Sequence, residues 1–113
     1  MALDLYRTGL KSVSANGSLI YTAPSGKHVV LSLTATNVWG SAMPVDCYVI
    51  MNETGSDANN TINIQKDLRI ESRTSEDLIP RNKITLEQGD KLYVGCPENT
   101  AVEFYLSVVE DVV

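Results

Sequence analysis

Apolar and polar residues alternate through much of this chain, and that alternation predicts strands rather than helices. The most regular segment predicts inward side chains at every second position: Val102, Phe104, Leu106 and Val108. Two earlier segments repeat the pattern, with inward faces formed by Val29, Leu31, Leu33 and Ala35, and by Val45, Cys47, Val49 and Met51. No window shows a helical stripe, so the pattern predicts an all-β domain.

Shorter alternating segments fill the rest of the chain, and turn-forming residues separate them. The segments are Ser18–Thr22, Thr61–Ile70, Asp77–Ile79, Ile84–Glu87 and Lys91–Cys96. Pro24-Ser25-Gly26 and Gln88-Gly89-Asp90 are two of the turns between them. Short strands at regular spacing are typical of a single antiparallel β-sandwich or a jelly-roll-like domain, which we expect over residues 18–113.

Residues 1–17 differ from the rest and allow two interpretations. Leu3, Leu5 and Leu10 are apolar, but Asp4 and Arg7 interrupt any strong pattern. The segment is predicted to be an edge strand of the same domain. The alternative is an N-terminal arm that pairs with a neighbouring subunit, because an unpaired strand edge is a template for a further strand.

Size and charge narrow the function classes. A chain of 113 residues with 43% hydrophobic residues suits one folded domain. The formal net charge is -5, and the nearest approach to a basic cluster, at Lys66 and Arg69, is interrupted by Asp67. We therefore expect no nucleic-acid partner. No apolar run approaches the roughly 18 residues that cross a bilayer, so we expect neither a membrane partner nor a signal peptide.

Candidate catalytic residues do not form a known motif. His28 is the single histidine, and no Gly-x-Ser-x-Gly sequence presents a serine nucleophile to it. Pro24-Ser25-Gly26-Lys27 lacks the flanking glycine and hydroxyl residue of a phosphate-binding loop, because Tyr21 and His28 occupy those positions. We expect no enzymatic activity, and we expect His28 to be structural or solvent-facing.

The two cysteines, Cys47 and Cys96, are too few and too far apart in sequence for a zinc site. Both fall on predicted inward faces, which favours buried free thiols. A disulfide formed later is the alternative. The carboxylates are predicted to lie in solvated loops, so no metal or cofactor is expected.

Several exposed apolar or aromatic side chains are candidates for contacts with other subunits. Trp39 lies beside Gly40 at a predicted strand end, where a tryptophan packs on the core, anchors a subunit contact or stacks on a sugar ring. The complete set of candidate contacts is Leu3, Leu5, Tyr6, Trp39, Tyr48 and Tyr105.

The order of strands and turns resembles a known family. Tyr21-Thr22-Ala23-Pro24 precedes the strand around Val29, and Leu86-Glu87-Gln88-Gly89-Asp90 precedes the strand around Leu92. Over roughly residues 18–110, these motifs resemble the small β-sandwich virion proteins of tailed bacteriophages. The polar segment Asn52–Asn60 departs from the family pattern because it is longer.

The resemblance implies a non-enzymatic accessory virion protein, made in the host cytoplasm and assembled as a homo-oligomer with other capsid or tail proteins. Its expected place is capsid decoration, or the neck or tail. The alternative is a carbohydrate- or receptor-binding module of a tail or baseplate, with Trp39 and Asn52–Asn60 forming the site.

Overall fold

Two antiparallel sheets pack face to face in a computed structural model that describes residues 2–81 and 83–112. Sheet A contains β1 (Ala2–Leu10), β9 (Val102–Val112), β3 (Lys27–Asn37), β6 (Ser75–Asp77) and β7 (Ile84–Glu87), in the order β1-β9-β3, with β6 and β7 both beside β3. Sheet B has the order β2-β8-β4-β5, formed by β2 (Ser18–Thr22), β8 (Lys91–Gly95), β4 (Met43–Ile50) and β5 (Thr61–Ile70). The predicted all-β sandwich is confirmed.

The core lies between the two sheets and is formed by alternate residues of each strand. All four predicted inward side chains of β9 are buried, as are Val45, Cys47 and Val49 of β4. Sheet B contributes Leu92 and Val94 from β8 to the same core. Burial of apolar side chains on the inner faces is the main stabilising contribution in a sandwich of this kind.

Strand β3 departs from the predicted alternation. Its register against β9 shifts between Val30 and Ser32, which inserts an additional residue at Leu31. His28 and Val30 are therefore buried, whereas Val29 and Leu31 are only half-buried. The prediction that Val29 and Leu31 face the core was wrong, because an extra residue in one strand reverses which face the following side chains occupy.

His28 has a structural environment. The side chain is fully buried, its Nε2 lies 2.9 Å from the carbonyl oxygen of Pro24, and its Nδ1 accepts a hydrogen bond from the backbone N–H of Asp111. A ring nitrogen that accepts carries no proton, so Nε2 is the nitrogen that donates to Pro24. His28 thereby ties the start of β3 to the end of β9.

Two other local structures differ from the sequence-based expectations. The strand predicted at Asp77–Ile79 lies at Ser75–Asp77. After it, one backbone bond to β3 remains, from the N–H of Leu78 to the carbonyl oxygen of Leu33, whereas Asp77 Oδ1 accepts from the N–H groups of Leu33 and Ile79 in place of further backbone acceptors. The polar segment contains one helical turn, α1 (Asp57–Asn60). Ser56 precedes it as the N-cap residue, and its side chain accepts a hydrogen bond from the backbone N–H of Asn59. Among the described residues, no helix is long and apolar enough to cross a membrane.

Gly89 occupies the turn between β7 and β8. Its φ of 88° lies in the left-handed region, and its N–H donates to the carbonyl oxygen of Ala23 at 2.9 Å. A Cβ at this position would overlap the side chain of Asn52, which itself donates to the carbonyl oxygen of Gln88. The turn therefore requires glycine both for its backbone conformation and for space.

We predict that Gly89→Ala destabilises the fold by about 1 to 3 kcal/mol, because it combines left-handed strain with a steric clash. The matched control is Gly40→Ala, since a Cβ on Gly40 meets no atom within 4 Å. We expect the control to lie within about 0.5 kcal/mol of wild type. Equilibrium unfolding in urea measures both. Equal stabilities for the two variants would contradict the role given to Gly89.

Candidate assembly surface

Strand β1 forms one edge of sheet A. All nine of its residues pair with β9 without a register shift, from Ala2 opposite Val112 to Leu10 opposite Phe104. In residues 2–81 and 83–112, no strand pairs with the other side of β1. The backbone N–H and C=O groups on that side are therefore free to pair with a strand of another molecule.

The outer face of β1 carries two exposed leucines. Leu3 is 68% exposed and Leu5 is 82% exposed. Leu5 lies opposite Val109 of β9, and Val109 in turn lies opposite Val29 of β3. An apolar row therefore crosses three strands on the outside of sheet A.

We refer to Leu3, Leu5, Val29, Leu31 and Val109 as the apolar band. Two shallow cavities follow it, one of about 460 Å³ that includes Leu3, Val29 and Val109, and one of about 410 Å³ that includes Leu5 and Leu31. The three band residues on β3 and β9 are half-buried. Contiguous apolar surface of this kind is typical of protein contacts.

Charged residues lie beside the band. Lys27 lies opposite Asp111 on one neighbouring strand and opposite Glu87 on the other, next to Leu3. Arg7 lies beside Leu5 and Leu31 at the other end. An apolar centre with a charged rim is the common composition of a protein–protein interface.

The other sheet edges have features that oppose pairing with a further strand. β6 and β7 contain only three and four residues, and β2 contains five residues and a register shift. β5 is long, but its register against β4 shifts twice, and it carries Lys66, Asp67 and Arg69. Short strands, bulges and charged side chains are the usual protection of sheet edges. Strand β1 has nine residues and no register shift, and its two charged residues, Asp4 and Arg7, are of opposite sign.

Contacts with β2 of sheet B support β1 from inside. The Tyr6 ring lies 5.3 Å from the Tyr21 ring, measured between centroids, and the Tyr21 hydroxyl donates a hydrogen bond to the Glu110 carboxylate. Burial, followed by this hydrogen bond, raises the pKa of Tyr21 above its usual value. These contacts join β1, β2 and β9 and hold the edge in place.

The candidate contact residues predicted from sequence do not form one surface. Leu3, Leu5 and Tyr105 lie on the outer face of sheet A, where Tyr105 is 47% exposed. Tyr6 lies on the inner side of β1, beside Tyr21. Tyr48 lies on the outer face of the opposite sheet, where its ring stacks on Tyr93.

Trp39 is half-buried and packs against the core. Its backbone N–H donates to Asn37 Oδ1, and its carbonyl oxygen accepts from Ser72 Oγ. Trp39 precedes β4 and Asn52–Asn60 follows it, so they lie at opposite ends of a strand that is about 25 Å long at about 3.3 Å per residue. The structure therefore does not bring together the two parts of the carbohydrate site predicted from sequence.

Both cysteines are buried free thiols, as predicted. Burial raises the pKa of Cys47 to about 12, and it also raises the pKa of Cys96, whose thiol donates to the carbonyl oxygen of Glu98. Neither thiol lies on the apolar band. A protonated, buried thiol reacts slowly with alkylating reagents and with disulfides.

We predict that iodoacetamide at about pH 8 leaves Cys47 unmodified in the folded protein, because about one thiol in ten thousand is ionised at a pKa of about 12. Both cysteines should react once urea unfolds the chain. Mass spectrometry of tryptic peptides measures the modification. Ser12→Cys, at an exposed position, provides the reactive control. Modification of Cys47 at the control's rate in native buffer would contradict its burial.

Comparisons with known proteins extend the description of the fold. Neither the family models nor the curated proteins give a match to this sequence. A solved structure of Bacillus endospore appendages, described as a novel family of disulfide-linked pili, is similar with a TM-score of 0.55 and 14% sequence identity. The match covers 99% of this chain and 88% of that chain. The likeness supports the β-sandwich fold, and the resemblance to bacteriophage proteins stays a prediction.

Proposed function

We propose that this protein is a structural subunit that assembles with further copies of itself through strand β1 and the apolar band. The exposed edge of β1 is the observation that carries the proposal, since Leu3 and Leu5 are 68% and 82% exposed beside unpaired backbone groups. A contact there buries apolar area and adds main-chain hydrogen bonds at the same time.

Two further observations support a second copy as the occupant. The residues beside the apolar band include both positive and negative charges, with Lys27 next to Asp111 and Glu87. When two identical surfaces meet, the lysine of one copy can therefore face a carboxylate of the other. The structurally similar endospore appendage is built of subunits joined in pili, which is an assembly role for this sandwich fold. Two buried thiols make a disulfide between copies an unsuitable link here, so association through β1 is non-covalent.

The finer proposal is that the assembly belongs to a phage particle, as a capsid decoration protein or as a neck or tail protein. The turns at Pro24-Ser25-Gly26 and Gln88-Gly89-Asp90 support it through their resemblance to small virion sandwiches. A structural role in the particle requires only the fold and the contact surface, and it needs no catalytic residue.

We predict that Leu5→Lys weakens self-association at least tenfold, because the contact loses about 1.5 to 3 kcal/mol of leucine burial and gains a charge that must be desolvated. The monomer should keep its stability to within about 0.5 kcal/mol, because an exposed lysine remains in water. Sedimentation velocity over a concentration series measures association, and urea unfolding measures stability.

Ile62→Lys is the matched control for this substitution, because Ile62 is 47% exposed on β5 at a protected edge. It should associate like wild type. A wild-type protein that stays monomeric at all concentrations would overturn the proposal. Equal association of Leu5→Lys and wild type would also overturn it, because the contact would then lie elsewhere.

Immunogold electron microscopy tests the finer proposal on phage particles purified from the source of this sequence. We expect antibody against this chain to label the capsid surface or the neck and tail. Label over the capsid identifies a decoration protein, whereas label at the tail identifies a tail component. Label confined to surface fibres of cells or spores, or particles without label, would overturn the virion assignment and leave the self-association result unaffected.

A further inference from the structure

The outer face of sheet B carries a row of side chains across four strands. The register places Leu19 opposite Tyr93, Tyr93 opposite Tyr48, and Tyr48 opposite Asn63. The two tyrosine rings stack with centroids 5.1 Å apart and planes 6° apart. Tyr93 therefore covers one face of Tyr48, and the other face of the Tyr48 ring is directed toward β5.

Tyr48 also lines a cavity of about 270 Å³. Asp46, Asn63 and Lys66 line it from β4 and β5, and Asn16 lines it from the turn that precedes β2. The cavity is slightly smaller than the roughly 300–1,000 Å³ of typical small-molecule sites, which limits its occupant to about one sugar ring.

Gly17 allows this geometry. Its φ of 105° lies in the left-handed region, and a Cβ at this position would overlap Tyr48 Oη. The hydroxyl instead reaches the carbonyl oxygen of Asn16 at 3.3 Å, which holds the ring at the side of the cavity. The aromatic wall is therefore in place before any ligand arrives, which lowers the entropic cost of binding.

The charges in the cavity balance. Lys66 Nζ lies 3.8 Å from Asp46 Oδ2, and Asp46 Oδ1 accepts a hydrogen bond from the backbone N–H of Asp67. The carboxylate is thus fixed in position, and the pair carries no net charge. The pair therefore gives no net attraction to an ion of either sign, whereas a neutral ligand with hydroxyl groups can donate to Asp46 and accept from Lys66.

Asn63 adds a free amide. Within residues 2–81 and 83–112, its side chain makes no hydrogen bond, so both its N–H groups and its carbonyl oxygen are available. The cavity therefore offers donors, acceptors and one aromatic face. Sugar rings have hydroxyl groups around their rim and C–H groups on their faces, which match this combination.

We propose that this cavity binds one neutral hexose unit, with a face of the sugar packed on Tyr48 and its hydroxyl groups bonded to Asp46, Asn63 and Lys66. One aromatic face and a few exposed hydrogen bonds correspond to millimolar affinity. The site lies on sheet B, whereas the apolar band lies on the outside of sheet A. An assembly formed through β1 leaves the sugar site exposed, and this inference does not depend on the proposed self-association.

The test is a two-dimensional ¹H–¹⁵N NMR titration of the folded protein with free D-glucose, D-galactose, D-mannose and N-acetyl-D-glucosamine, each in a separate series. We expect at least one sugar to shift the backbone amides of Asn16, Tyr48, Asn63 and Lys66 with saturation in the millimolar range. If none of the four shifts these amides, or if the shifts lie on another surface, the proposal is overturned.

Asn63→Ala tests the assignment directly, because it removes an exposed amide without disturbing a contact of the fold. We expect its affinity for the bound sugar to fall about fivefold to tenfold. The control is Asn59→Ala, which removes an exposed asparagine side chain that does not line the cavity. The control should bind like wild type. Equal losses in the two variants, or a loss in the control alone, would place the site in the polar segment and overturn the proposal.

Discussion

The pairing of β3 with β9 is the interaction on which both faces of sheet A depend. β9 keeps a strict alternation and buries Val102, Phe104, Leu106 and Val108. β3 follows it for ten paired residues but inserts one residue at Leu31. The inserted residue changes which face of the sheet the side chains on one side of it occupy. In the apolar run Val29-Val30-Leu31, Val30 therefore packs in the core, whereas Val29 and Leu31 lie on the outer face. The β3 part of the apolar band, Val29 and Leu31, is therefore a consequence of the same register shift that places Val30 in the core.

The position of β1 follows from this arrangement. Once β9 has paired with β3, its other side accepts β1, and nothing in the described chain covers the far side of β1. The contact between Tyr6 and Tyr21 and the hydrogen bond from Tyr21 to Glu110 tie this strand to both sheets. An edge held in this way loses little conformational freedom when a second strand pairs with it, which favours association over a flexible arm.

The sequence predicts strand positions well, because alternation is a local property. Strands β2, β5 and β7 have the predicted bounds. The strand predicted at Asp77–Ile79 instead lies at Ser75–Asp77, where the Asp77 side chain accepts the hydrogen bond from the N–H of Leu33 in place of a backbone carbonyl. Leu3 and Leu5 were predicted as contacts, but Val29, Leu31 and Val109 were missed. Three consecutive apolar residues in an otherwise alternating strand were the signal for a bulge. The cavity beside Tyr48 could not be predicted, because it depends on registers among β4, β5 and β8.

The distribution of charge is consistent with the proposed association at β1 rather than at another sheet edge. A net charge of -5 opposes contact between identical copies wherever their acidic side chains meet. The edge formed by β6 and its preceding turn carries three acidic residues, Glu71, Glu76 and Asp77, against one basic residue, Arg73, so two such edges repel each other. β1 carries one acidic residue, Asp4, and one basic residue, Arg7, so its charge sums to zero. The proposed association at β1 therefore meets the least electrostatic opposition where the backbone is unpaired and the leucines are exposed, and apolar burial is its main favourable contribution.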